Sequence, residues 1–181
     1  MYRVLAAIAL ALFAAAPTVA EDVAANRGAD ILAPYKMQLK QALLAGMAQG
    51  PSAAIGACKL QAPQIAETLS VDGIVVGRSS HRLRNPRNAA PDWVAPIMQT
   101  YADDAADRTP RTVELEGDRL GYVEPILMQP VCLACHGDVQ DPSLAERIAD
   151  EYPDDEATGF ELNELRGVFW TEFPARGGSY D

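Results

Sequence analysis

The chain of 181 residues has only three cysteines and two histidines, and it is short of positive charge, with 15 lysines and arginines against 25 aspartates and glutamates. The acidic excess argues against a nucleic-acid partner, because phosphate binding needs a basic face. It concentrates in "DDAAD", "DPSLAERIADEYPDDE" and "FELNE", a pattern of solvated surface that could also steer a basic partner. There is no internal repeat and no low-complexity tract. Long apolar runs are scarce as well. The first, Val4 to Ala16, falls short of the roughly 20 residues that span hydrocarbon. With Arg3 before it, and Thr18 and Ala20 at the −3 and −1 positions, it reads as a secretory signal peptide cleaved near Ala20. The chain is long enough for one core and short for two, so residues 21–181 are expected to form one domain with no stable membrane span.

What is present is therefore concentrated chemistry. An exported chain meets an oxidising compartment, the periplasm, where Cys58, Cys132 and Cys135 cannot all pair with one another. Two of them stand in "MQPVCLACHGDV", directly before His136.

Around this stretch the pattern predicts helices first and strands after. Ile31, Leu32, Tyr35, Leu39, Leu43 and Met47 recur at helical spacing and predict a long amphipathic helix that ends at "GMAQGP". Pro51 suits the first turn of a second helix, with Ile55, Cys58 and Ala62 on one face before Pro63 and "VDG" end or kink it. "GIVVGRSS" reads as a short strand. A helix from about Pro91 places Trp93, Ile97 and Tyr101 together. "RTVELEGDRLGYVEPILMQP" reads as a hairpin, followed after the cysteine motif by a short helix around Ser143 to Ala149. In the last strand, "LRGVFWTEF", Val168 and Trp170 share one side while Phe169 and Phe173 are expected to divide between faces. This order predicts an α+β fold, a small antiparallel sheet with helices on one face.

Three chemistries suit "CLACH". A catalytic dithiol normally opens a helix inside a βαβ pattern, which this chain lacks. Structural zinc needs four ligands, and those left over are Cys58 and one or two histidines at irregular distances. Covalent haem attachment needs this spacing and order, since two thiols add across two vinyl groups and the adjacent histidine reaches the iron. On that reading Cys132 and Cys135 form thioethers, His136 is the proximal ligand, and Gly137 lets the backbone leave close to the porphyrin. The opposite ligand then decides the behaviour, and Cys58, His81, Met37, Met47, Met98 and Met128 are all candidates.

The strings "YKMQLKQALLAGMAQGPSAAIGACKLQAPQIA", "GIVVGRSSHRLRNPRNAAPDW", "CLACHG" and "LRGVFW" resemble those of the exported c-type haem domains formerly known only as a domain of unknown function. Members are free-standing small proteins or the extracytoplasmic input domains of bacterial receptors. The resemblance runs from about Ile31 to Phe173. It implies a PAS-like fold and one covalently bound haem c with a His/Cys axial pair, His136 and, in "AIGACKLQAP", Cys58. It also matches Arg78, Arg84 and Asn85 to a "GR...RNP" signature that would bind haem propionates or pin the loop. His81 departs from the pattern, where an apolar residue is expected, and leaves open a ligand switch.

The function expected is that of a non-enzymatic redox or diatomic-ligand sensor that passes its signal to a partner protein, with no catalytic residues. The competing expectation is a small periplasmic electron-transfer cytochrome, which the acidic surface favours.

Overall fold

The computed structural model describes residues 19–175, apart from residue 139. The expected signal peptide lies almost wholly outside the described residues. Among them, no helix is long and apolar enough to cross a membrane.

The long first helix, α1 (Val19–Met47), begins a dozen residues before the predicted periodicity does and carries Pro34 in its interior. Its early turns stay helical because they have something to cover. Gly28 lies so close to Tyr122 that a Cβ would stand 2.4 Å from the ring, and Arg27 donates to the Pro174 carbonyl at 2.7 Å. The second helix is broken as expected, but not at Pro63. α2 (Pro51–Gly56) opens into a π-helical turn, Ala57–Gln61, and α3 (Ala62–Leu69) starts beyond it with Pro63 in its first turn. Proline there loses nothing, because its missing N–H would have no partner in a first turn.

Four strands follow: β1 (Val75–Ser79), β2 (Arg111–Leu115), β3 (Arg119–Leu127) and β4 (Leu165–Pro174). They form one antiparallel sheet in the order β1-β4-β3-β2, so the last strand enters the middle. The β2–β3 turn holds Gly117 and Asp118 at φ +72° and +56°, the left-handed pair that a tight hairpin requires. Between β1 and β2 lies α4 (Ala95–Asp103), and α6 (Pro142–Glu151) precedes β4.

This is the α+β, PAS-like arrangement expected, with one difference: helices cover both faces of the sheet. On one face α1 and α3 bury Leu32 and Tyr35 against Val76, Tyr122 and Phe173. On the other α4 buries Val94, Ile97, Met98 and Tyr101 against Val123, Leu165 and Val168. Phe169 and Phe173 are not divided between faces. Two positions with an even separation point the same way along a strand, and both meet the α1 side. A third, smaller cluster joins Ile55 of α2 to Leu144 and Ile148 of α6 and to Tyr152 just beyond it, with Cys135 against it.

Candidate functional site

The cysteine motif leaves β3 through Pro130, which starts a 3-10 turn (Pro130–Cys132) leading into the four-residue helix α5 (Leu133–His136). Cys132 and Cys135 are thus one helical turn apart and His136 follows at once. This segment is fastened from several sides. Arg84 donates to the Cys135 and Ala157 carbonyls at 2.7 and 3.2 Å and pairs with Asp155 at 2.9 Å, with both side chains about nine-tenths covered. Gln140 adds a bond to the Cys135 carbonyl, and the N–H of Phe160 donates to the His136 carbonyl at 2.9 Å. At Gly137 the φ is −72°, and a Cβ would stand 2.6 Å from the Leu133 carbonyl oxygen.

His136 has one nitrogen committed. Its Nδ1 lies 2.6 Å from the Ala157 carbonyl oxygen. A carbonyl only accepts, so Nδ1 carries the proton and Nε2 is left with a free lone pair. Burial, helped by the Arg166 and Arg84 guanidinia, pushes this imidazole down to about 2, so it is neutral in any ordinary buffer. A neutral imidazole held through its far N–H by a carbonyl is the usual state of a metal-binding histidine.

A further stretch of wall comes from the π-helical turn, which carries Cys58. One cavity of about 1110 Å³, partly open to solvent, is lined by Cys58, Cys132, Cys135 and His136, and also by Arg78, Arg84 and Asn85. All seven residues assigned from the sequence therefore meet there. His81 does not. It is exposed and lies edge-on to Phe160, whose ring also meets His136 edge-on, at centroid distances of 6.0 and 6.2 Å. Among the methionine candidates, Met47 lines the cavity, whereas Met98 is buried in the α4 core and Met37 is exposed. Met128 is buried with Ala157 and Phe160 behind the motif.

The donors surround a space and do not converge on a point. Among the described residues no group of three or more His, Cys, Asp or Glu side chains is placed to hold a metal ion, which leaves the zinc reading without its ligand set. Burial raises the Cys135 thiol, and the motif follows a strand of an antiparallel sheet, not the strand of a βαβ unit in which a catalytic dithiol normally sits. All three cysteines are free thiols. Two thiols one turn apart, a lone pair beside them and a third thiol in the wall of the same cavity could hold a flat macrocycle with an iron at its centre.

The sequence reading missed one residue. Arg166 of β4 also lines the cavity, donating to Ser80 Oγ at 2.6 Å and lying 5.2 Å from the Phe160 ring centre. Burial, then the neighbouring Arg78 and Arg84 charges, bring it down to about 10, and it stays protonated. In a chain with 25 acidic residues, this cavity has three arginines and no carboxylate in its walls.

A family model described as Tll0287-like matches residues 8–174. The chain belongs to the Tll0287-like family. Among solved structures, the crystal structure of the cyanobacterial heme-protein Tll0287 superposes with a TM-score of 0.58 at 19% identity, over 83% of this chain and 98% of that one. That likeness carries the Tll0287-like fold. No curated protein matches the chain.

Proposed function

We propose that this Tll0287-like protein is an exported, periplasmic c-type haem protein that senses redox state or a diatomic ligand, and is not an enzyme. The observation that carries the reading is the pairing of a fixed Nε2 lone pair on His136 with two thiols beside it and a third in the wall of the same cavity. Cys132 and Cys135 would hold the porphyrin by thioethers, His136 would be the proximal ligand and Cys58 the distal one. When bound, the haem supplies an iron that changes oxidation state and accepts a sixth ligand.

The protein's own part is positional. The Ala157 carbonyl fixes the His136 tautomer, and Arg84 holds the attachment turn in place. Cys58 sits on a π-helical turn, a loosened stretch that often accompanies function. Its engagement or release is the change a partner protein would read, since α2 touches α6 on this side and Lys59 pairs there with Glu151.

A second reading is a small electron carrier. Met47 in the cavity wall favours it, because methionine opposite histidine raises the potential whereas thiolate lowers it.

The test is an absorption spectrum and a midpoint potential for protein co-expressed with haem-maturation machinery, beside Cys58→Ala. Covalent haem with a strongly negative potential, and a ferric spectrum altered in Cys58→Ala, is the expected outcome. Absence of covalent haem defeats the whole proposal. A potential well above zero with an unchanged Cys58→Ala spectrum moves the assignment to Met47 and to electron transfer.

A further inference from the structure

The outer face of α1 is turned to solvent along most of its length. Gly28, Leu32, Tyr35 and Gly46 are buried toward the rest of the chain, while Asn26, Asp30, Ala33, Met37, Lys40 and Leu44 are exposed, with Val23 one step before them. These seven positions are separated by three and four residues in alternation. Such a period of 3.5 gathers them into one seam along about 33 Å of helix, continuous through Pro34. Val23, Met37 and Leu44 are 62%, 54% and 48% exposed, so this one stripe holds three of the eight large apolar side chains that face solvent among the described residues.

The two charges in the seam select what can cover it. Asp30 and Lys40 form no hydrogen bond or ion pair among the described residues. If two such helices paired in parallel, each charge would meet its own copy, and like charges repel. In an antiparallel pair with the two-fold axis at residue 35, positions equally far from that residue face each other. Asp30 then meets Lys40 of the partner subunit, Ala33 meets Met37 of the partner subunit and Asn26 meets Leu44 of the partner subunit, each contact occurring twice by symmetry. Every layer sets a short side chain against a long one, and every exposed position from Asn26 to Leu44 in the seam finds another seam position opposite.

We propose that α1 is a homodimer interface, in which two copies of this chain pair their first helices antiparallel about residue 35 with reciprocal Asp30–Lys40 ion pairs around a central Ala33–Met37 contact. A single helical seam is small beside the roughly 1,600 Å² of a standard interface, so the pairing is reversible, with a Kd of the order of micromolar. It brings Val23 of the partner subunit beside the last turn of α1, where Leu43 and Met47 line the main cavity. The pairing uses no haem and stands or falls apart from the proposed function.

Sedimentation velocity of the purified protein from about 1 μM to about 1 mM reads the pairing directly. The wild type is expected to pass reversibly from monomer to dimer. Met37→Asp sets carboxylates at the centre of the seam and leaves a monomer throughout. Asp30→Lys and Lys40→Asp each weaken pairing by about tenfold, because two attractive pairs become two repulsive ones. The double variant recovers the wild-type affinity, as does an equimolar mixture of the two single variants, and this rescue separates a lost contact from a damaged helix. A wild type that stays monomeric at the highest concentration overturns the proposal. So does a dimer that Met37→Asp, or either single charge reversal, leaves intact.

Discussion

The two walls of the main cavity are built on opposite principles. The Cys132–His136 wall is tied down by directed bonds, with Arg84, Gln140 and the Ala157 carbonyl all reaching into five residues. The Cys58 wall is a π-helical turn between two short helices, with cavity on both sides of its cysteine and an exposed Lys59–Glu151 pair across it. A ligand that must never leave belongs on the first kind of wall, and one whose departure carries information belongs on the second. On the proposed sensing function, the pair of walls would place anchor and signal in different parts of the chain.

The contrast can be broken most sharply at Arg84. Arg84→Met strands the Asp155 carboxylate in a covered position, and loss of one partner of a buried pair costs about 3–5 kcal/mol. Denaturant midpoints of variant and wild type measure it, and a cost below about 1 kcal/mol would remove the idea of a fixed wall.

Acid gives the next effect. His136 is neutral in the folded protein down to about 2, but takes up a proton near its ordinary value of 6.5 once unfolded. Its contribution is complete above that ordinary value and is lost as the pH falls below it. Haem-free protein, with Cys132 and Cys135 replaced by alanine, should thus melt at lower temperature at pH 5 than at pH 7. Adding His136→Gln should flatten the dependence, and equal slopes would contradict it.

On the movable wall the same measurements should barely respond. Cys58→Ala is expected to cost less than about 1 kcal/mol, although it alters the spectrum, because a half-buried side chain facing two cavities has few contacts to lose. A large loss of stability would mean that this wall is also fixed. Smallest of all is His81→Ala. With Phe160 between it and His136, removing the imidazole should leave the ferric and ferrous spectra unchanged, and any shift in them revives the ligand switch.

The fixed wall was readable in advance because its chemistry is local. Spacing alone puts Cys132, Cys135 and His136 together, and the hairpin before them announces itself by alternation and by "EGD" at the turn. Cys58 needed the family resemblance, since only the folded chain carries it across the cleft. Its π-helical turn has no sequence signal; the pattern put the end or kink at Pro63 and "VDG", and the break comes earlier, at Ala57–Gln61. Arg166 was hidden by a register change. Leu165 and Val168 both reach the α4 core although an odd separation should send them to opposite faces, and the irregularity lies opposite, at Ile126 and Leu127. Gly167, at φ +155° and hard against the Ser79 carbonyl, is where the alternation fails. Arg166, a charged residue between the apolar Leu165 and the run Gly167–Trp170, was the available clue.

Cys58 and Cys132 line one cavity but lie roughly seventy residues apart in the chain, and β1, β2 and β3 all fall between them. Whatever bridges the two therefore closes a loop around three of the four strands. In chain-entropy terms a closure of that length restricts the unfolded ensemble by about 4 kcal/mol. On the proposed ligation, letting go of Cys58 would thus do more than open a coordination site: it would open that loop, and resistance to unfolding would report the state of the cavity.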